Sequence, residues 1–303
     1  MQVLSEPRSF FVDLGGSRRH VVEWGSPDAP VLVLQHGMRD HARSWEWVAR
    51  HFADRYRIIT PDLRGHGDSD WSQEGAYALS DYVIDLHRVV TALELPTFDL
   101  VGHSLGGHIS LRYAATFPET VRLLSIIEAI ELPIVRDQRR APTAYPARLR
   151  EWALLQTDVH ARQPRFYPSV EDAAARMAEQ NPRIDAATIT HLTRHGVVAQ
   201  FGKGLRWKYD NACRFRAPDD AHGTDLDDVL DAIACPILLA YGDESWIPLP
   251  PPERLARLKQ RRLEMFPGAS HWLHHEARNR FLAVLDDFLT TSEFTSSRKT
   301  THA

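Results

Sequence analysis

Among 16 histidines, 40 carboxylates and many hydroxyls, one serine is set apart by its surroundings. Gly102-His103-Ser104-Leu105-Gly106 is a G-x-S-x-G pentapeptide. The short apolar run Phe98–Val101 leads into it, and a helix-compatible run, Ile109 to Thr116, leads out. A strand that turns sharply into a helix holds the serine at its apex in a strained conformation, with the hydroxyl clear of the sheet edge. Gly102 and Gly106 fall where the chain passes too close to itself for a Cβ. The positive end of the following helix favours an anionic intermediate at that point. The chemistry this suggests is nucleophilic attack, and a serine hydroxyl needs a base within hydrogen-bond reach.

Histidine is the natural base, since its pKa lies near neutral pH. His271 stands in Phe266-Pro267-Gly268-Ala269-Ser270-His271-Trp272, a Gly-containing loop between a strand and the last helix. Loops at the carboxyl ends of parallel strands are where such a sheet gathers its chemistry. His274 and His275 read instead as a solvated helix start. His103 and His108 lie too close to Ser104 along the chain to meet it with a base's geometry.

The elements that must position these groups follow an α/β pattern. Phe10–Asp13 and His20–Trp24 read as a hairpin around Gly15-Gly16-Ser17. Val31–Gln35 is a continuous apolar run, as in a strand buried on both faces. Ser44 to Phe52 reads as a helix with Ser44 as N-cap. Tyr56–Thr60 is the next strand, and Ser80 is expected to cap a long amphipathic helix bearing Tyr82, Leu86, Val89 and Leu93 on one face. The elbow unit follows, then Val121–Ile127 as the sixth strand. The alternation then stops. From about Pro133 to Asp231 the chain is rich in Arg, Pro and Trp, with helical patches such as Val170–Gln180 and no strong strand. Strand Pro236–Tyr241, helix Pro252–Leu258, strand Arg262–Phe266 and helix Ala277–Leu289 resume the pattern. The expected division is a core over 1–132, a helical insertion over 133–231, the rest of the core over 232–289, and a flexible tail over 290–303.

Composition excludes several classes. A formal charge of −4 leaves no basic footprint for nucleic acid. Two cysteines, Cys213 and Cys235, make neither a disulfide framework nor a zinc site. No run is long enough to span a bilayer, and Met1–Arg8 lacks the apolar core of a signal peptide. The expectation is a cytoplasmic protein acting on a small molecule, without metal or organic cofactor. Its oligomeric state is left open.

Four motifs together resemble the α/β-hydrolase superfamily, and specifically its capped branch of esterases, lactonases, meta-cleavage C–C hydrolases, haloalkane dehalogenases and epoxide hydrolases. They are His36-Gly37 after the third strand, Asp62-Leu63-Arg64-Gly65-His66-Gly67-Asp68-Ser69, the elbow at Ser104, and Gly268-Ala269-Ser270-His271-Trp272. Arg206-Trp207-Lys208-Tyr209-Asp210 is similar to a W-K-[YF]-D segment of many relatives. The resemblance covers about residues 8 to 289. It implies a mostly parallel central sheet flanked by helices, with a helical cap inserted after the sixth strand. It also implies Ser104 as nucleophile, His271 as base, and the backbone N–H groups of Met38 and Leu105 as the oxyanion hole. His36, Asp62 and Arg64 then read as groups that shape loops.

The acid departs from the usual pattern. Most relatives carry it in a G-x-x-D segment, where this chain has Gly242-Asp243-Glu244-Ser245. Ser245 cannot hold the charge that an imidazolium needs behind it. Glu128 instead closes the sixth strand at the edge where the site must lie. Glu128-Ala129-Ile130-Glu131-Leu132-Pro133 resembles the segment in which some haloalkane dehalogenases and lactone hydrolases place their acid. Glu128 is the expected acid, with Asp243, Glu131 and Glu244 as alternatives. The implied function is acyl transfer from an ester- or lactone-like bond through an acyl-enzyme on Ser104. The alternatives are a C–C bond hydrolase, a cofactor-free dioxygenase of N-heteroaromatics, and a ligand receptor on the same fold. For the pocket, Trp152, Phe166, Tyr167, Trp207 and Tyr209 are candidate lining residues. Arg136, Arg139, Arg140, Arg148 and Arg150 read as a solvated face, with steering of an anionic substrate as the alternative.

Overall fold

In a computed structural model, which describes residues 6–131, 143–161, 163–215, 218 and 223–296, the apolar runs become the inner strands of one eight-stranded sheet. In chain order the strands are β1 (Arg8–Asp13), β2 (Arg18–Trp24), β3 (Val31–Gln35), β4 (Arg57–Pro61), β5 (Phe98–His103), β6 (Val121–Ile127), β9 (Ile237–Gly242) and β10 (Arg261–Phe266). Across the sheet they run β1-β2-β4-β3-β5-β6-β9-β10. The pairings of β1 with β2 and of β2 with β4 are antiparallel. The others are parallel.

Every residue of β3, β5 and β9 is buried, which is why those segments carry apolar runs rather than alternation. Successive residues still serve opposite faces. Val31 and Val33 of β3 join one core cluster, which includes Tyr82, Leu86 and Val89 of α2 (Leu79–Ala92) and Leu105 and Ile109 of α3 (Leu105–Thr116). Leu32 and Leu34 join the other, with Val48 and Phe52 of α1 (Glu46–Phe52) and Phe281, Leu285 and Leu289 of α10 (Arg278–Ser296). Edge strand β10 alternates in exposure.

Two helix starts differ from the sequence reading. Ser44 lies inside a 3-10 turn, Ala42–Trp45, that precedes α1. The N–H of Ala42 is satisfied by Asp62 Oδ1 at 2.6 Å, so a distant carboxylate supplies the cap. Helix α2 begins one residue before Ser80, and Asp81 accepts the N–H of Ala78 at 2.9 Å. At the other end of the chain, α10 runs to Ser296, beyond the expected start of the tail at residue 290. A helix anchored by buried Phe281, Leu285 and Leu289 carries its polar last turns with it.

Between β6 and β9 lie α4 (Tyr145–Ala161), α5 (Val170–Gln180), α6 (Ala186–Gly196) and α7 (Gly223–Asp231). Ser169 caps α5, accepting from Asp172 N at 3.1 Å. The segment is not wholly helical, contrary to expectation. β7 (Val197–Gln200) and β8 (Gly204–Trp207) form a small antiparallel hairpin, and a short apolar strand pair of this length leaves little trace in periodicity. Arg136, Arg139 and Arg140 lie outside the described residues. No helix among the described residues is long and apolar enough to cross a membrane.

The sheet register sets up the site. His103 at the end of β5 pairs with Ile127 of β6, which pairs with Ala240 of β9. The residues that follow β5 and β6, Ser104 and Glu128, therefore emerge side by side at one edge of the sheet.

Candidate active site

Ser104 has φ 51° and ψ −116°, a left-handed conformation that costs a non-glycine residue on the order of 1–3 kcal/mol. The backbone packs closely on both sides of it. A Cβ on Gly102 would lie 2.5 Å from the carbonyl oxygen of Gly106, and one on Gly106 would lie 2.3 Å from that of Gln35. Both glycines are thus required by close backbone approach. The amide of Ser104 is held by Ile127 O at 2.9 Å, and its side chain is left half-buried.

His271 Nε2 lies 3.0 Å from Ser104 Oγ, and His271 Nδ1 lies 2.7 Å from Glu128 Oε2. A carboxylate only accepts hydrogen bonds. The proton of neutral His271 therefore sits on Nδ1, and the Nε2 lone pair faces the serine hydroxyl. Glu128 is 1% exposed and has two more donors. The N–H of Gly242 reaches Oε1 at 2.8 Å, and the hydroxyl of Ser245 reaches Oε2 at 2.6 Å. Like Ser104, Glu128 has a positive φ, 51°.

The competing carboxylates are engaged elsewhere. Asp243 accepts the N–H of Gly268 at 2.7 Å. Glu244 pairs with Arg183, and Glu131 with Arg254. The residue at the usual acid position, Ser245, instead donates to the carboxylate on the neighbouring strand. The other histidines divide differently from the sequence reading. His274 and His275, expected at a solvated helix start, are both buried, with ring centroids 4.2 Å apart. Burial holds the pKa of His274 well below 6.5 and lowers that of His275 to about 3. His103 is engaged elsewhere: its Nε2–H donates to the backbone carbonyl of His271 at 2.9 Å and so fixes the loop that carries His271. Burial first, and the neighbouring His271 second, hold its pKa well below the usual value.

Leu105 opens α3, so its N–H has no partner within the helix. The turn Gly37-Met38 comes to the same point, because a Cβ on Gly37 would lie 3.3 Å from Ser104 Cβ. His36 holds that turn. Its Nδ1–H donates to Gly37 O at 2.7 Å and its Nε2 accepts from Leu63 N at 2.9 Å. With both nitrogens committed and the ring fully buried, desolvation lowers its pKa to about 3. Asp62 ties the adjoining loop, accepting from Ala42 N, Asp68 N and His20 Nδ1. Arg64 pairs with Asp85. These side chains shape the loops around the serine.

A cavity of about 430 Å³ opens beside Met38 and Trp272, and the segment between β6 and β9 closes its other side with Tyr167, Trp207 and Tyr209. The Trp207-Lys208-Tyr209-Asp210 stretch anchors that segment. Lys208 pairs with Asp68 at 2.8 Å, Tyr209 forms a β-bridge with His66, and Asp210 accepts from Tyr77 Oη at 2.6 Å. Of the pocket candidates, Tyr167, Trp207 and Tyr209 line the cavity. Trp152 and Phe166 do not belong to its lining. Trp152 donates to Phe215 O at 3.2 Å, and Phe166 lies under Lys203. An aromatic residue in a helical segment serves the segment's own packing as readily as a pocket.

A family model for the alpha/beta hydrolase fold matches residues 30–277. This chain belongs to the α/β-hydrolase family. It is similar to 2-(acetamidomethylene)succinate hydrolase of Mesorhizobium japonicum, with 27% identity over 92% of this chain and 94% of that protein. The crystal structure of an E-2-(acetamidomethylene)succinate hydrolase superposes with a TM-score of 0.74 at 26% identity, over 94% of this chain and 100% of that one. A thioesterase domain from the curacin biosynthetic pathway does so equally well, at 0.74 and 26%, over 92% and 99%.

Three residues of this α/β-hydrolase site escaped the sequence reading. Ser245 supports Glu128, His103 holds the His271 loop, and Arg39 lines the cavity. The serine in place of an acid at position 245 was a signal for the first. Nothing in the sequence announces the other two.

Proposed function

We propose that the protein hydrolyses the carboxylic ester or lactone bond of a small organic molecule by way of an acyl-enzyme on Ser104. One observation carries this: His271 bridges Ser104 Oγ at 3.0 Å and Glu128 Oε2 at 2.7 Å in the tautomer a general base requires. In this mechanism Oγ attacks the carbonyl carbon as its proton passes to Nε2, and the Glu128 carboxylate stabilises the imidazolium. The oxyanion is met by the N–H groups of Leu105 and Met38, each donor contributing about 2.7–4 kcal/mol to lowering the barrier. The imidazolium returns the proton to the leaving oxygen. Water, activated by the same nitrogen, then releases the acid and frees Ser104.

The segment between β6 and β9 serves as the cap that selects the substrate, in support of which its residues form one wall of the cavity beside Met38. The test is a panel of aryl esters, lactones and meta-cleavage diketones, run beside an oxygen electrode. Steady ester or lactone turnover is expected, with Ser104→Ala losing it while keeping its fold, and a fluorophosphonate labelling only the wild type. Ester turnover unchanged in Ser104→Ala, or oxygen uptake with N-heteroaromatics in place of hydrolysis, overturns the reading.

A further inference from the structure

Among the described residues, thirteen line the cavity beside Met38 and Trp272, of which three are arginines, Arg39, Arg165 and Arg176, and none is acidic. That is a local excess of positive charge on a chain of net charge −4. Arg176 is engaged by Glu179 at 2.8 Å. Arg39 and Arg165 have no acidic partner among the described residues. Each rests on the face of a tyrosine instead. Arg39 lies 5.7 Å from the ring centroid of Tyr209, and Arg165 lies 5.9 Å from that of Tyr167. Between these two rings stands Trp207, stacked on Tyr209 with centroids 6.4 Å apart and edge-on to Tyr167 at 6.3 Å. The wall is therefore an aromatic row with a guanidinium at each end. Cation–π contact orients a guanidinium without neutralising it, and its fork of donors remains suited to a carboxylate.

A second observation singles out Arg39. Four non-glycine residues among those described have positive φ: Arg39 at 61°, Glu94, Ser104 and Glu128. Glu94 follows the end of α2, where such a turn is common. Two of the other three face His271. Arg39 is the third, in the turn directly after Met38, in a conformation uncommon for an arginine.

We propose that the substrate is an organic anion: the molecule whose carbonyl meets Ser104 also carries a carboxylate, bound by Arg39 with Arg165 above the Tyr167–Trp207–Tyr209 row. The proposal rests on the ester-hydrolase reading and names its substrate class. Arg39 is thereby a specificity residue, acting on the non-reacting end of the substrate.

The experiment compares two esters with six-carbon acyl chains, p-nitrophenyl hexanoate and the p-nitrophenyl monoester of adipic acid, with enzyme-free rates subtracted. For the wild type the ratio of kcat/KM, anionic over neutral, should exceed one by roughly 10- to 100-fold, the range of a charge-assisted hydrogen bond. It should fall as sodium chloride rises, and fall toward one in Arg39→Asn, which tolerates the backbone conformation, mainly through KM. A wild-type ratio at or below one, or a ratio indifferent to both salt and Arg39→Asn, overturns the proposal. Should neither these esters nor the lactones of the panel turn over, the hydrolase reading fails, and calorimetric titration of Ser104→Ala with adipate decides the anion site. Saturable binding weakened by salt and by Arg39→Asn upholds it, and no binding at millimolar adipate removes it.

Discussion

Replacing Glu128 by glutamine tests the acid more sharply than removing it, because the shape is kept and one acceptor becomes a donor. The backbone N–H of Gly242, 2.8 Å from Oε1, cannot turn away, so the amide oxygen must stay on that side. The amide NH2 then faces Ser245 Oγ and His271 Nδ1, now 2.6 Å and 2.7 Å from Oε2. Ser245 can rotate its hydroxyl and accept. His271 can satisfy the amide only by moving its proton to Nε2, where it points at Ser104 Oγ and can no longer take the serine proton. A wrong tautomer of this kind lowers kcat by about 10⁴, or roughly 5.4 kcal/mol of activation free energy. Burst kinetics with an aryl ester and the rate of fluorophosphonate labelling should fall together, with circular dichroism unchanged. In Asp243→Asn, whose side chain only accepts a loop N–H at 2.7 Å, kcat should stay within about threefold, since a single exposed hydrogen bond contributes on the order of 1 kcal/mol. The reasoning is refuted if Glu128→Gln keeps more than about a tenth of kcat, or if Asp243→Asn is the variant that collapses.

Other outcomes follow from the same geometry. Burial lowers the pKa of His36 and His275 to about 3 and of His41 and His66 to about 4. The unfolded chain therefore binds more protons than the native one below about pH 6.5, and stability falls as pH drops from there toward 4, by at most about 1.4 kcal/mol per histidine per pH unit. Asp40, raised to about 7 by burial, works in the opposite direction and offsets about one of the four. Tm by calorimetry should be lower at pH 5.0 than at pH 7.5 by on the order of 10 °C; a flat profile would mean that these rings reach water in the native state. Haloalkanes and epoxides should give no multiple turnover. Ser104 attacking an sp³ carbon makes an ether, with no carbonyl for water to attack. Sustained halide release, measured colorimetrically, would contradict this.

The elbow, the His271 loop and the inner strands were legible because each is written locally. Buried parallel strands need apolar runs, the turn at Ser104 needs Gly102 and Gly106, and the loop at His271 follows directly from its strand. The contact of Glu128 with His271 was legible for another reason: Ser245 left a vacancy that only a few carboxylates could fill, and Glu128 lay at the right sheet edge. The features that stayed hidden depend on distant partners. Ala42 is capped by Asp62, twenty residues away in the chain. His274 and His275 follow a pattern that suits an exposed helix start, yet His274 packs beside Trp45 and His103, and His275 packs against His274 and Trp272. The choice of Trp207 over Trp152 as a cavity residue turns on how the segment sits over Met38, which periodicity does not encode.

The bond from Ser245 Oγ to Glu128 Oε2 joins two adjacent strands behind one imidazole. Either strand end can present a carboxylate to Nδ1 without moving His271 or Ser104. A chain holding carboxylates at both positions would still function, since two acids that close share a proton rather than both ionising. The carboxylate behind His271 is thus set by a place in space, the shared edge of β6 and β9, rather than by a place in the sequence.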